Sequence, residues 1–161
     1  MSTTFFGAAL VLLAAAAVLR RDRMRQREAQ ALVWAFAAAL GEAESAIRWQ
    51  RTPVPALLET LAARERCGAW FRQALDELQG DLPLQTVWDS VFSAMPDVAL
   101  AEVLRRVSWS GDARQLEGTL ARAKEEAEGL YRRRCEEDRR SRRVRTSAVL
   151  CGAALTIILL L

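Results

Sequence analysis

The sequence predicts an all-α protein: a cytoplasmic six-helix bundle flanked by N- and C-terminal transmembrane helices. Three observations carry this expectation. Both ends of the chain are apolar runs without a charge. Between them, apolar residues recur at three- and four-residue steps, and no run of alternating β-branched residues is long enough for a strand. Prolines, glycines and capping residues then cut this middle into separate helices. At 161 residues the chain suits one ordinary domain. A chain of that size can bury about two-thirds of its surface, so the bundle can have a true core.

The first apolar run, residues 5–19, reads FFGAALVLLAAAAVL, and the last, residues 148–161, reads AVLCGAALTIILLL. As a helix, each rises only about 22 Å against a hydrocarbon core of about 30 Å. Ser2, Thr3 and Thr4 extend the first run, and Thr146 and Ser147 extend the last, to a marginal crossing. Arg20, Arg21, Arg23, Arg25 and Arg27 follow the first run. A secretory signal peptide carries its positive charge before the apolar stretch, so this order describes an uncleaved anchor. Arg139, Arg140, Arg142, Arg143 and Arg145 precede the last run. The positive-inside rule places both flanks in the cytoplasm and both termini across the membrane. The expected division is an anchor with its basic flank at 1–22, a cytoplasmic bundle at 23–145 and a second span at 146–161.

The first helix continues from the anchor to about Trp49, with Leu32, Phe36, Leu40, Ala43 and Ile47 as its apolar stripe. Thr52 is expected to cap the second, with Pro53 in its first turn and Leu57, Leu58 and Leu61 buried. Trp70, Phe71, Ala74, Leu75 and Leu78 mark the third, and Val87, Trp88, Val91, Phe92 and Met95 the fourth. Asp97 caps the fifth, whose face is Leu100, Val103, Leu104 and Val107. Gly111 breaks the chain, and Asp112 with Gln115 resembles a capping box for the sixth. That helix carries Leu116, Leu120, Ala123, Ala127 and Leu130 toward the last span.

Composition excludes much chemistry. There is no histidine, so imidazole bases, His-based triads and His metal ligands are absent. Cys67, Cys135 and Cys151 are too scattered for a zinc pattern or a disulfide framework. Cys67 is expected to be a buried thiol. The glycines are isolated and the single lysine, Lys124, belongs to no phosphate loop. Glu42 and Glu44, and Glu125, Glu126 and Glu128, read as solvated helix faces. No catalytic, metal or cofactor site is expected. Lys+Arg 23 against Asp+Glu 20, net +3, is too balanced for a general polyanion binder. Arg132 to Arg145 is basic but interrupted by Glu136, Glu137 and Asp138, which argues for lipid headgroups nearby rather than nucleic acid. Most of the five tryptophans sit on helical stripes and are expected in the core. Trp109 has two readings, a plug folded back on the core or the centre of a docking loop with Arg105, Arg106 and Asp112.

The order of these features carries a resemblance. An anchor and basic turn lead to a helix ending in Ile47-Arg48-Trp49, then Thr52-Pro53-Val54-Pro55-Ala56-Leu57-Leu58. A Trp-Phe helix, a Trp-bearing helix, Ser110-Gly111-Asp112 and a long charged helix into an apolar tail follow. This resembles the stage III sporulation protein AB family over essentially the whole chain, with Thr52, Pro53 and Pro55 as the helix-start motif. The family is similar in turn to the helical F-domain of inner-membrane platform proteins in type II secretion and type IV pilus systems. The resemblance implies a non-enzymatic membrane scaffold of the mother cell–forespore channel. It also implies docking of a secretion-type ATPase, stage III sporulation protein AA, alongside other stage III channel proteins, with self-association left open. A platform protein of a secretion, pilus or tight-adherence system is the alternative, although those normally carry two F-domains and three spans.

Overall fold

A computed structural model describes the backbone of residues 2–78 and 82–160 and the side chains of residues 16–17, 20–78 and 82–141. Among the described residues there are six α-helices and no strand. They are α1 (Ser2–Ser45), α2 (Val54–Ala62), α3 (Gly68–Leu78), α4 (Leu84–Ser93), α5 (Val98–Arg105) and α6 (Ala113–Leu160), with a π-helical turn at Ala46–Gln50 extending α1. Among these residues no helix is long and apolar enough to cross a membrane. The spans expected at 5–19 and 148–161 fall on residues whose side chains, Ala16 and Ala17 apart, lie outside the described set.

The two long helices pair with each other, and the four short ones pack in chain order, α2 on α3, α3 on α4, α4 on α5 and α5 on α6. The α1–α6 pairing is antiparallel. The Trp34 ring lies 5.3 Å from that of Tyr131. Gly41 gives room to the stem of Lys124, and the Arg48 Nε lies 2.8 Å from Glu117 Oε1. Each step of seven residues forward in α1 meets a step of seven backward in α6, the spacing of a coiled-coil seam.

The stripes expected from the sequence form the core. Phe36, Leu40, Ala43 and Ile47 of α1, Leu57, Leu58 and Leu61 of α2, and Leu100, Val103 and Leu104 of α5 are buried. So are Leu116, Leu120, Ala123 and Ala127 of α6, and no polar or charged residue among those described is buried with them. The centre is aromatic. Trp88 and Phe92 have ring centroids 4.3 Å apart, and Phe71 lies 6.0 Å from Trp88. Phe36 meets Phe92 edge-on at 5.9 Å. Trp88 donates its indole N–H to the Leu104 carbonyl at 2.8 Å, so the largest buried side chain has no unmet polar atom. The expectation for the tryptophans is corrected at two positions. Trp34 and Trp49 are 53% and 79% exposed, because each lies off its helix's buried stripe. Cys67 is fully buried, and burial pushes its thiol pKa up. Gly68 permits the tight α2–α3 turn, since a β-carbon there would lie 2.5 Å from the Ala62 carbonyl oxygen.

Helix starts follow capping chemistry, with one correction. Asp97 caps α5 as expected, accepting from the Leu100 N–H at 3.2 Å. Asp112 accepts from the Gln115 N–H at 2.7 Å at the start of α6. The cap of α2, however, is Pro53 rather than Thr52, and Pro55 lies within the first turn. Pro53 is extended, and its carbonyl accepts the first helical bond from Leu57 at 3.1 Å. The Thr52 hydroxyl is engaged elsewhere, donating to the Ala46 carbonyl and to Gln50 Oε1, each at 3.4 Å.

Asp97 also joins α5 to α6. The Arg134 guanidinium donates two bonds to its carboxylate, at 2.5 and 2.7 Å. These bonds, helped by the backbone N–H of the cap, hold the Asp97 pKa below its ordinary value. A depressed folded-state pKa contributes stability that is complete above the unfolded value, about 3.9. That contribution is lost as pH falls through the lower folded value. Asp97→Asn, which retains a capping oxygen, is expected to cost about 1–2 kcal/mol at neutral pH. The gap between variant and wild type should close as pH falls below about 4, as read by urea unfolding across a pH series.

Candidate functional site

The chain leaves α1 by an unusual route. The π turn Ala46–Gln50 widens the last turn of the helix, and Arg51 then adopts the left-handed conformation, φ 51° and ψ 36°. The N–H groups of Arg51 and Thr52 both donate to the Ala46 carbonyl. This is a helix stop of the kind that usually places glycine or asparagine at the left-handed position. An arginine there accepts the steric cost of a β-carbon in that region.

A second turn faces it. Val107 is buried, and the Trp109 N–H donates to Gln85 Oε1 at 2.9 Å, while the Gln85 amide donates to the Val107 carbonyl at 3.4 Å. One side chain of α4 thus clips the loop from both sides. The Trp109 ring packs edge-on against Trp88, with centroids 4.7 Å apart. Its Nε1 is buried without a hydrogen-bond partner among the described residues. Gly111 follows at φ 138°, a backbone conformation that side chains rarely adopt, and the Gln115 amide occupies the space a β-carbon would need. Asp112 then starts α6.

Between the two turns lies a cleft of about 640 Å³. Its apolar lining is Ile47, Val54, Trp109 and Leu116, and its charged lining is Arg48, Arg51, Arg114, Asp112 and Glu117. Arg48 is neutralised by Glu117 at 2.8 Å and approaches Glu44 at 3.8 Å. Asp112 is engaged as the α6 cap. Arg51 and Arg114 are exposed and have no acidic partner among the described residues.

Of the residues singled out in the sequence, the structure brings Thr52, Pro53, Trp109 and Asp112 to this one cleft. Pro55 sits one residue inside α2 and is not part of its lining. Arg105 and Arg106 lie elsewhere, held by Asp89 at 3.7 Å and Glu126 at 2.9 Å. Sequence reasoning missed Arg51 and Arg114. For Arg114 a local signal was available, since it stands in the positively polarised first turn of α6, where basic residues are disfavoured; the left-handed stop at Arg51 follows a π turn that the sequence does not mark. Glu42 and Glu44 tie α1 to other parts of the fold: Glu42 meets Arg64 of the α2–α3 turn, and Glu44 meets Lys124 of α6 at 3.6 Å. No group of three potential metal ligands occurs among the described residues.

A family model for stage III sporulation protein AB matches residues 4–161. The chain belongs to that family. The match covers both terminal apolar runs and every described helix. No curated protein and no solved structure matches the chain. The family makes this a stage III sporulation protein, and a helical bundle is its described fold. Both turns of the cleft belong to the matched region, including the Val107-Ser108-Trp109 segment.

The position of Trp109 sets an expectation for its removal. The ring packs on the core while part of it lines the cleft. Trp109→Ala should destabilise the protein by about 2–3 kcal/mol, less than a fully buried tryptophan. Trp49→Ala, at a 79% exposed position, should change stability by less than about 0.5 kcal/mol. Urea unfolding of the full chain, followed by circular dichroism, separates the two.

Proposed function

We propose that this chain is a non-enzymatic membrane scaffold of the channel between mother cell and forespore, docking a secretion-type ATPase on its helical bundle. The single observation that carries the reading is the family match from one terminal apolar run through the bundle to the other. Architecture supports it. The antiparallel register of α1 and α6 directs the start of α1 and the end of α6 to the same end of the bundle. Two spans entering one membrane from one side require that arrangement. Arginine flanks border both apolar runs on the bundle side, which favours a cytoplasmic bundle with both termini outside.

The domain division at 1–22, 23–145 and 146–161 belongs to this proposal, as does the location in the mother-cell membrane around the forespore. Stage III sporulation protein AA supplies the ATPase in this reading, and the other stage III channel proteins are further partners. The docking face is the end of the bundle where the Thr52–Pro53 turn meets the loop carrying Trp109 and Asp112.

Two measurements test the proposal. In a chain freed of its native cysteines, a thiol at Ser2 should react with an impermeant reagent in intact mother cells. A thiol at Ser90, on α4, should be protected until the membrane is opened. Labelling at Ser90 in intact cells would overturn the orientation. Affinity capture from sporulating cells should recover the ATPase with the wild-type chain. Its absence under conditions that retain other channel proteins would sink the docking role.

A further inference from the structure

Two arginines of the cleft stand where local physics disfavours them. Arg51 occupies the left-handed helix stop at φ 51°, where glycine would relieve the strain. Arg114 follows Asp112 and Ala113 in the first turn of α6, where the positive end of the helix dipole repels a cation. Both are exposed, both line the same cleft, and neither has an acidic partner among the described residues. The other three charged lining groups are already engaged, Arg48 with Glu117 and Asp112 as a cap. Two local choices that oppose the fold, lining one cleft, point to a functional surface.

We propose that this cleft binds an acidic segment of a partner protein, with Arg51 and Arg114 receiving its carboxylates and Trp109 supporting an adjacent apolar side chain. The proposal deepens the docking role above and rests on it. Charge complementarity favours the occupant: the lining sets three arginines, Arg48, Arg51 and Arg114, against two carboxylates, Asp112 and Glu117, so its net charge is positive, and Arg51 and Arg114 have no acidic partner within ion-pair distance among the described residues. Guanidinium groups pair with carboxylates in a planar, two-point geometry, and a peptide supplies carboxylates on separate side chains with apolar ones between them. The apolar lining of Ile47, Val54 and Leu116 suits a side chain between the carboxylates.

The test exploits the conflict between stability and binding. Arg51→Gly and Arg114→Glu each remove a locally unfavourable arginine, so each should raise the melting temperature of the full chain in detergent. Each should also weaken binding by roughly tenfold, as expected for losing a charge pair from a binding site. Two probes are used. One is the purified ATPase. The other is a short peptide alternating glutamate pairs with leucine, compared with its glutamine counterpart. The expected result is that the wild type binds the ATPase and prefers the acidic peptide, that added salt weakens both, and that both variants lose both. ATPase binding that persists in both variants overturns the cleft while leaving the docking role intact. Acidic-peptide binding that depends on Arg51, with no ATPase binding by the wild type, supports the cleft and removes the ATPase as its occupant. A wild type that binds both peptides equally overturns the proposal, as does self-association lost in the variants while ATPase binding stays unchanged.

Discussion

The bond from the Trp88 indole to the Leu104 carbonyl is the contact on which the short helices depend. It joins the buried face of α4 to the last turn of α5, where Leu104 also receives the Val107 N–H at 3.1 Å. The indole would otherwise be a buried donor without an acceptor, a loss of about 1–3 kcal/mol in a protein of marginal stability. Satisfying it fixes the ring, and the ring organises its neighbours. Phe71 and Phe92 pack against it, and Trp109 meets it edge-on at 4.7 Å. The loop that forms one wall of the cleft is therefore seated on the centre of the core. Gln85, one helical turn before Trp88, holds the same loop by its backbone. The cleft inherits its shape from a single buried side chain and its neighbour on α4.

The α1–α6 pair supplies the frame. Four short helices of 8 to 11 residues cannot be stable alone in water, where isolated helices below about 12–15 residues are marginal. They acquire their helicity by burying apolar faces against one another and against the long pair. The Asp97–Arg134 fork adds a directional tie, setting where the start of α5 lies along α6. Because that tie is charge-assisted and lies at the edge of the core, it selects register more than it adds burial.

Much of this was legible from residue spacing. The six helices, their buried stripes, and the Asp97 and Asp112 caps follow from periodicity and capping chemistry, since both are local. Other features were not. Thr52 has the side chain of a cap, but the π turn before it draws its hydroxyl to the Ala46 carbonyl, and Pro53 takes the position. A π turn leaves no compositional mark. Trp34 and Trp49 are as apolar as Trp88, and only their phase around the helix, shifted off the stripe of Phe36 and Leu40, separates them. Arg51 reads as an ordinary charge until the backbone places it in the left-handed region, and only the fold brings it to one cleft with Arg114 and Trp109. The half of the site built by the 107–112 loop was visible because an aromatic residue in a polar loop stands out. The other half depended on tertiary approach.

Geometry also gives the cleft a position along the protein. The arginine flank of α1 begins at residue 20, and Arg48 lies near the cleft at the far end of the same helix. A helical rise of about 1.5 Å per residue over that interval separates them by roughly 40 Å. The chain returns along α6 over a matching length, so both termini share one end of the bundle and the cleft occupies the other. On the proposed topology, the surface bearing Arg51 and Arg114 projects away from the lipid. At that distance, several Debye lengths at physiological salt, the basic flanks scarcely influence what approaches the cleft. The charges of its own lining, Arg48, Arg51 and Arg114 against Asp112 and Glu117, then determine the local field. On the proposed topology, this stand-off would separate membrane attachment from partner recognition, the basic flanks serving the headgroups and a second, smaller positive surface the proposed partner.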